Sequence, residues 1–136
     1  MKYTAHFDGS SKGNPGPAQC GWIIFDDQKN EVDRGVRKSQ YKQTNNVAEY
    51  MGLIELLKYI LFSNVVGLVD IYGDSKVIIN QVNGKWKCKS SNLRQYYNKA
   101  LEHIQSIEDH GKAVTITWVP REQNTEADNL AQKGKL

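Results

Sequence analysis

Four acidic residues carry the chemistry this sequence can support. Asp8 closes an alternating stretch, Tyr3-Thr4-Ala5-His6-Phe7, and precedes a segment rich in glycine. Asp74 closes a second apolar stretch at residues 66–73, and Glu49 and Asp128 each fall in the first turn of an expected helix. Sites in open α/β sheets gather at the carboxyl ends of strands. Asp8 and Asp74 therefore emerge at one sheet edge if their strands are neighbours. Counting by three and four from Glu49 reaches Leu53, Leu56 and Ile60, so Glu49 heads an apolar stripe and points inward. Clustered carboxylates without a cation repel one another and raise one another's pKa. A divalent ion removes that cost, and an all-oxygen ligand set suits Mg²⁺, with Mn²⁺ as a substitute, rather than zinc or copper. Two such ions about 3.5–4 Å apart hold both the attacking and the leaving oxygen of an in-line phosphoryl displacement.

Three of the four carboxylates also admit a local structural use. Asn46-x-x-Glu49 and Thr125-x-x-Asp128 fit capping boxes, and acids in a first helical turn suit the helix dipole. Asp74 before Ser75 fits an N-cap. Asp8 is different, because no helix follows it.

The elements that must position these residues follow from periodicity. Residues 2–8, 20–26 and 31–38 read as an antiparallel meander, with 9–17 a loop by composition. Thr44-Asn45-Asn46 opens a long helix to about Phe62. Its two apolar stripes, Val47/Met51/Ile54/Leu57/Leu61 and Leu53/Leu56/Ile60, call for burial on two sides. A strand at 66–73, a helix from Ser75, an amphipathic helix at 91–108, a strand at 114–119 and a short helix after Asn124 complete the order β-β-β-α-β-α-α-β-α. Strand-helix-strand units in the second half require parallel pairing there. The expected class is α/β with a mixed sheet, as one domain over residues 1–136.

Composition narrows the partners. Eighteen Lys+Arg against fifteen Asp+Glu is a mild basic excess, so a local patch matters more than the total. The densest alternation of cations with an aromatic is Lys85-Trp86-Lys87-Cys88-Lys89. Such a segment binds backbone phosphates; the alternative is a solvated lysine loop with Trp86 as a packing anchor. Cys20 and Cys88 lie far apart without CxxC or Cys/His spacing, which argues against zinc and fits a reducing cytosol. The apolar region at residues 53–69 is broken by Glu55, Lys58, Ser63 and Asn64, so no membrane span is expected.

Four segments together resemble the type 1 ribonuclease H family. They are Phe7-Asp8-Gly9-Ser10 with Gly13-Asn14-Pro15-Gly16-Pro17, Thr44-Asn45-Asn46-Val47-Ala48-Glu49, Tyr72-Gly73-Asp74-Ser75, and Trp118 to Asn124 with Ala127-Asp128-x-Leu130-Ala131. The resemblance runs from about residue 2 to 133. It implies a five-stranded ribonuclease-H-like fold, three antiparallel strands and then parallel ones, flanked by helices. It also implies endonucleolytic hydrolysis of the RNA strand of RNA–DNA hybrids, leaving 5′-phosphate and 3′-hydroxyl ends. Asp8 would bridge two Mg²⁺ ions, Asp128 would help hold the ion beside the attacking water, and Glu49 and Asp74 the ion beside the leaving oxygen. Asn14, Asn45 and the backbone at Gly9 and Ser10 match positions that read RNA 2′-hydroxyls, and Thr44 matches a phosphate contact on the DNA strand. Two departures stand out. Many members carry a histidine in the loop before the last aspartate, where this chain offers Arg121 and Glu122 instead. Some relatives insert a basic helical protrusion after the position of Gln81, where this chain has only the lysine segment. A cytoplasmic monomer that binds RNA–DNA hybrid and no membrane is expected. The alternative is a ribonuclease-H-like module that holds hybrid or duplex without cutting it.

Overall fold

The computed structural model describes residues 2–133. Its strands are β1 (Lys2–Ser11), β2 (Gly16–Phe25), β3 (Glu31–Gln43), β4 (Leu68–Gly73) and β5 (Ala113–Trp118). Its helices are α1 (Asn45–Phe62), α2 (Lys76–Val82), α3 (Ser91–Asp109) and α4 (Thr125–Lys133), with a 3₁₀ turn at Arg121–Gln123. The sheet order is β3-β2-β1-β4-β5. β1 pairs antiparallel with β2 and parallel with β4, so it joins the two halves of a mixed sheet. The β4–β5 pair is parallel too.

The meander strands are longer than the alternation of apolar residues predicts. β1 and β2 continue their ladder through Gly9↔Cys20, Ser10↔Gln19 and Ser11↔Ala18, so most of the expected 9–17 loop is strand. Backbone pairing there needs no apolar side chain, because both ladder partners are main chain. β3 likewise runs on to Gln43 as an exposed edge strand. Its Arg34, Arg37, Lys38 and Lys42 suit an edge that must not pair with another chain.

Helices cover both faces of the sheet. A Cβ on Gly52 of α1 would lie 3.4 Å from Cys20 Cβ, and one on Gly21 would lie 2.4 Å from Leu130 Cβ of α4. Adjacent residues of a strand face opposite ways, so α1 and α4 lie on opposite faces of β2. The two apolar stripes of α1 are buried except at Leu61, which is partly buried at the end of the first, and Leu53, Leu56, Leu57 and Ile60 are fully enclosed. One stripe lies on the sheet and the helix also packs on α3. In α3, Leu93, Ala100 and Ile107 are buried, and Tyr97, Leu101 and Ile104 pack against them from the rim. Residues 83–90 link α2 to α3 without a helical protrusion. No helix among the described residues is long and apolar enough to cross a membrane.

Candidate active site

The sheet register brings the first two acids together. His6 is level with Tyr72 across the parallel β1–β4 pair. Two residues further on come Asp8, inside β1 and not at its end, and Asp74, just past the end of β4, both where the parallel β1–β4 pairing stops. Glu49 arrives from the other direction, on the first turns of α1. Its approach depends on Gly9, where a Cβ would sit 2.0 Å from the Ala48 carbonyl oxygen, and on Gly52, where one would sit 2.6 Å from the Asp8 carbonyl oxygen. These two glycines let the start of α1 rest directly on the end of β1. As a result Asp8, Glu49 and Asp74 each offer a carboxylate oxygen, and all three oxygens lie within 4.8 Å of one another.

Asp128 lines the same cleft, a hollow of about 240 Å³, without belonging to that tightest group. It accepts from Arg121 Nη2 (3.2 Å) and Gln132 Nε2 (2.9 Å). Gly9, Ser10, Asn45 and Arg121 complete most of the wall. Glu122 sits on the exposed 3₁₀ turn outside the cleft lining.

The capping alternatives resolve against the carboxylates. Thr44, not Asn45 or Asn46, caps α1, its Oγ1 accepting from Val47 N at 3.2 Å. Ser75, not Asp74, caps α2, its Oγ accepting from Ile78 N. Thr125 is already inside α4, so it cannot act as the cap of a Thr125–Asp128 box. Hydroxyls cap α1 and α2, which leaves Glu49 and Asp74 facing the cleft.

Asn124, which sequence patterning did not single out, proves central. It is 1% exposed and immediately precedes α4. Its Nδ2 donates to the Phe7 carbonyl oxygen (2.9 Å) and to Asp74 Oδ2 (3.3 Å), and its Oδ1 accepts from His6 Nδ1 (3.0 Å). One side chain thus ties β1, Asp74 and the start of α4. In the sequence it resembles any polar residue ahead of a helix.

The electrostatics are those of confined like charges. Burial pushes the Asp8 carboxyl up to about 7, and the neighbouring Asp128 and Asp74 add to the rise. Burial and the adjacent Asp8 hold Glu49 well above the usual carboxylate range. Asp74 is raised by burial, against the opposing hydrogen bond from Asn124. Among the described residues no lysine, arginine or histidine pairs with Asp8, Glu49 or Asp74; Arg121 pairs with Asp128. Glu49 Oε2 is buried with no hydrogen-bond partner at all, a costly state for a charged oxygen. A divalent cation fits this set, supplying the missing partner and the missing charge with oxygen ligands only.

The expected substrate residues are arranged with donors to spare. Asn45 Oδ1 accepts from Ser11 N (3.1 Å) and Ser11 Oγ (2.8 Å), and Asn14 Oδ1 accepts from Asn45 N (3.0 Å). Both carboxamide oxygens are engaged, and neither NH₂ group donates to a described residue. Lys85, Trp86, Lys87 and Lys89 lie apart from the cleft lining, on the link between α2 and α3. Trp86 is 49% exposed and so is no packing anchor; the buried residue of that segment is Cys88.

Fold and site together define an α/β protein with a carboxylate-lined cleft where the antiparallel half of its sheet meets the parallel half. The chain belongs to the reverse transcriptase-like family of ribonuclease-H-like domains, whose pattern it matches over residues 6–134. It is 35% identical over 131 residues to a bifunctional protein of Mycobacterium tuberculosis, an alignment covering 96% of this chain and 35% of that protein. Ribonuclease HI of Halobacterium salinarum is 35% identical over 132 residues, 95% of this chain and 62% of its own length. The chain therefore spans well under the full length of both curated relatives. The crystal structure of RNase H1 from the same archaeon superposes with a TM-score of 0.87 at 33% identity, covering 98% of this chain and 96% of that one. LC11-RNase H1, solved in complex with an RNA/DNA hybrid, superposes with a TM-score of 0.86 at 29% identity, covering 96% and 94%.

Proposed function

We propose that this chain is a divalent-metal-dependent ribonuclease H, which hydrolyses the RNA strand of RNA–DNA hybrids and leaves 5′-phosphate and 3′-hydroxyl ends. The observation that carries this reading is the trio Asp8, Glu49 and Asp74, with ligand oxygens within 4.8 Å of one another and one buried oxygen unpartnered. When bound, a pair of Mg²⁺ ions, or Mn²⁺ in their place, supplies the charge that lets water attack phosphorus in line and the 3′ oxygen depart.

The protein's own groups do the rest. Asp8, whose carboxylate lies within 4.8 Å of those of Glu49 and Asp74, would be the ligand shared by the two ions. Glu49 and Asp74 would help hold the ion beside the leaving oxygen. Asp128, steadied by Arg121 and Gln132, would help hold the ion beside the attacking water. The free NH₂ groups of Asn14 and Asn45 are donors for RNA 2′-hydroxyls, the group that distinguishes RNA from DNA. The backbone of Gly9 and Ser10 borders the same wall. Thr44 Oγ1 accepts from Val47 N, so its hydroxyl proton remains available to a DNA phosphate. Arg121, with two-thirds of its side chain exposed, holds Asp128 and can meet the product phosphate, in place of the absent loop histidine.

The test is incubation of an end-labelled hybrid with Mg²⁺, Mn²⁺ or EDTA, with single-stranded RNA, duplex RNA and duplex DNA as controls. Metal-dependent cutting confined to the RNA of the hybrid is expected. Hybrid that is bound yet uncut with either metal would overturn the catalytic reading in favour of a binding module.

A further inference from the structure

Three hollows lie in sequence across the sheet, and their charge changes abruptly. The carboxylate cleft shares Ser10 and Gln132 with a larger hollow of about 480 Å³, which is lined by Lys12 and Lys38 and by no acidic residue. That hollow shares Lys38 with a third, also about 480 Å³, which ends at Tyr41 and again contains no acid. The strand register explains the alignment. Ser10 is level with Gln19, and Gln19 with Lys38. Lys38 thus stands two strands away from Ser10, roughly 10 Å at about 4.8 Å per strand spacing.

The far end of this track is shaped by a bulge. Ala18 pairs with Ser39 but Pro17 pairs with Lys42, so Gln40 and Tyr41 have no partner on β2. Pro17 has no N–H to continue the ladder, and bulges re-aim side chains. Tyr41 is consequently 80% exposed, beside Lys38 and Lys42. Among the described residues Lys12, Lys38 and Lys42 make no ion pair, whereas the nearby Arg37 is taken by Glu55 at 3.0 Å. The Ser10 hydroxyl and the Gln19 carboxamide are spent on α4 carbonyls. The unpaired charged groups of the track are therefore all cations, and its far end carries one exposed aromatic ring.

We propose that this track seats a single-stranded RNA flank of the substrate, with phosphates on Lys12 and Lys38 and a base stacked on Tyr41. The proposal rests on the ribonuclease H reading, since it treats the flank as a continuation of the strand being cut. Cations that follow a backbone, with an exposed aromatic ring, are the combination that binds unpaired strands. Bases inside a duplex are stacked on one another and offer no face to Tyr41. The track leaves the carboxylate cleft on one side only, so only one end of the RNA strand can use it.

The experiment compares a short blunt hybrid with hybrids carrying a single-stranded RNA extension at the 5′ or the 3′ end, and with the same extensions in DNA. Binding is read by fluorescence anisotropy in an Asp8→Asn background, and KM and kcat by cleavage with the otherwise wild-type chain. One RNA extension, and not the other, is expected to tighten binding about tenfold, as stacking of a single base can. Lys12→Ala/Lys38→Ala and Tyr41→Ala should each lose most of that gain with Tm unchanged. The lysine pair should also flatten the dependence of log Kd on log salt by one to two units, at about 0.7 per phosphate on single strands. The control Lys99→Ala should change neither. If neither extension, or both equally, tightens binding, or if the variants keep the gain, the track is not a flank site. A DNA extension that gains as much as RNA overturns the assignment to the RNA strand. Failure of the wild-type chain to bind or cut even the blunt hybrid would instead sink the underlying function.

Discussion

Asp8 shows what the cluster costs the protein when no metal is bound. Burial, with Asp128 and Asp74 adding to it and Glu49 opposing, pushes its carboxyl from 3.8 up to about 7. A folded-state value above the unfolded one means that the native state holds a proton which the unfolded chain has already released. Stability is then fully present below pH 3.8 and is lost as pH rises towards about 7. The raised Glu49 acts in the same direction. In EDTA the melting temperature should therefore fall across this interval, and Asp8→Asn should flatten the fall. Added Mg²⁺ should restore stability most at the upper end, where the ligands are ionised and an ion that binds only the folded state stabilises it by mass action. Asp8→Asn should also lower cleavage by at least about a hundredfold, the scale of losing one electrostatic contact to a reacting centre. Thermal scans from acid to neutral pH decide the point: a melting temperature in EDTA that is level or rising for wild type would mean the carboxylates are not confined as described.

At the scale of elements, the site depends on how closely α1 can lie on β1. A methyl group on Gly9 would fall 2.0 Å from the Ala48 carbonyl oxygen, so Gly9→Ala must push the helix away and carry Glu49 with it. The expected cost is about 1–3 kcal/mol of stability, as for other overpacked positions, together with a clear loss of kcat. Urea denaturation and steady-state cleavage measure the two, and a Gly9→Ala protein unchanged in both would show that the contact is not needed. The sequence makes part of this legible. Periodicity places Glu49 at the head of a buried stripe, and the order of elements implies the mixed sheet. Other parts escape it because they depend on contacts between distant segments. The Gly9–Ala48 approach cannot be read from either segment alone. The ladder through Ser10 and Ser11 carries no apolar alternation. Asn124 turns its side chain to Phe7, Asp74 and His6 and not to its own helix, and only the assembled fold decides between those choices. Likewise, Thr44 and Ser75 take the capping roles that patterning also allowed to their neighbours.

Across the whole molecule, the proposed function asks an acidic cleft to attract a polyanion, and a net charge of +3 is too small to achieve this without placement. Besides the track along β3, the link between α2 and α3 presents Lys85, Lys87 and Lys89 around the half-exposed Trp86. The link is held in place. Lys85 N and Trp86 N both donate to the Asn80 carbonyl oxygen at the end of α2. Arg94 Nη2 donates to the Cys88 carbonyl oxygen, and the Cys88 side chain is buried. α2 starts beside Asp74 and has seven residues, a rise of about 10 Å at 1.5 Å per residue. The link therefore stands about one helix length from the carboxylates, and on the ribonuclease H reading proposed above it would hold the DNA strand of a hybrid whose RNA strand lies in the cleft. Each phosphate contact contributes about 0.9 to the slope of log affinity against log salt on B-form DNA. Replacing Lys85, Lys87 and Lys89 with Ala should raise KM and flatten its salt dependence by about two to three units. The maximal rate should stay near wild type, because grip far from the reacting phosphate is the same in ground and transition states. Trp86→Ala is a separate variant that removes contact area without charge, so it should raise KM and leave the salt slope alone. Steady-state cleavage of a blunt hybrid at several salt concentrations separates these outcomes. A triple lysine variant with the wild-type KM and slope would remove the link from the interface and leave the β3 track as the main cationic grip.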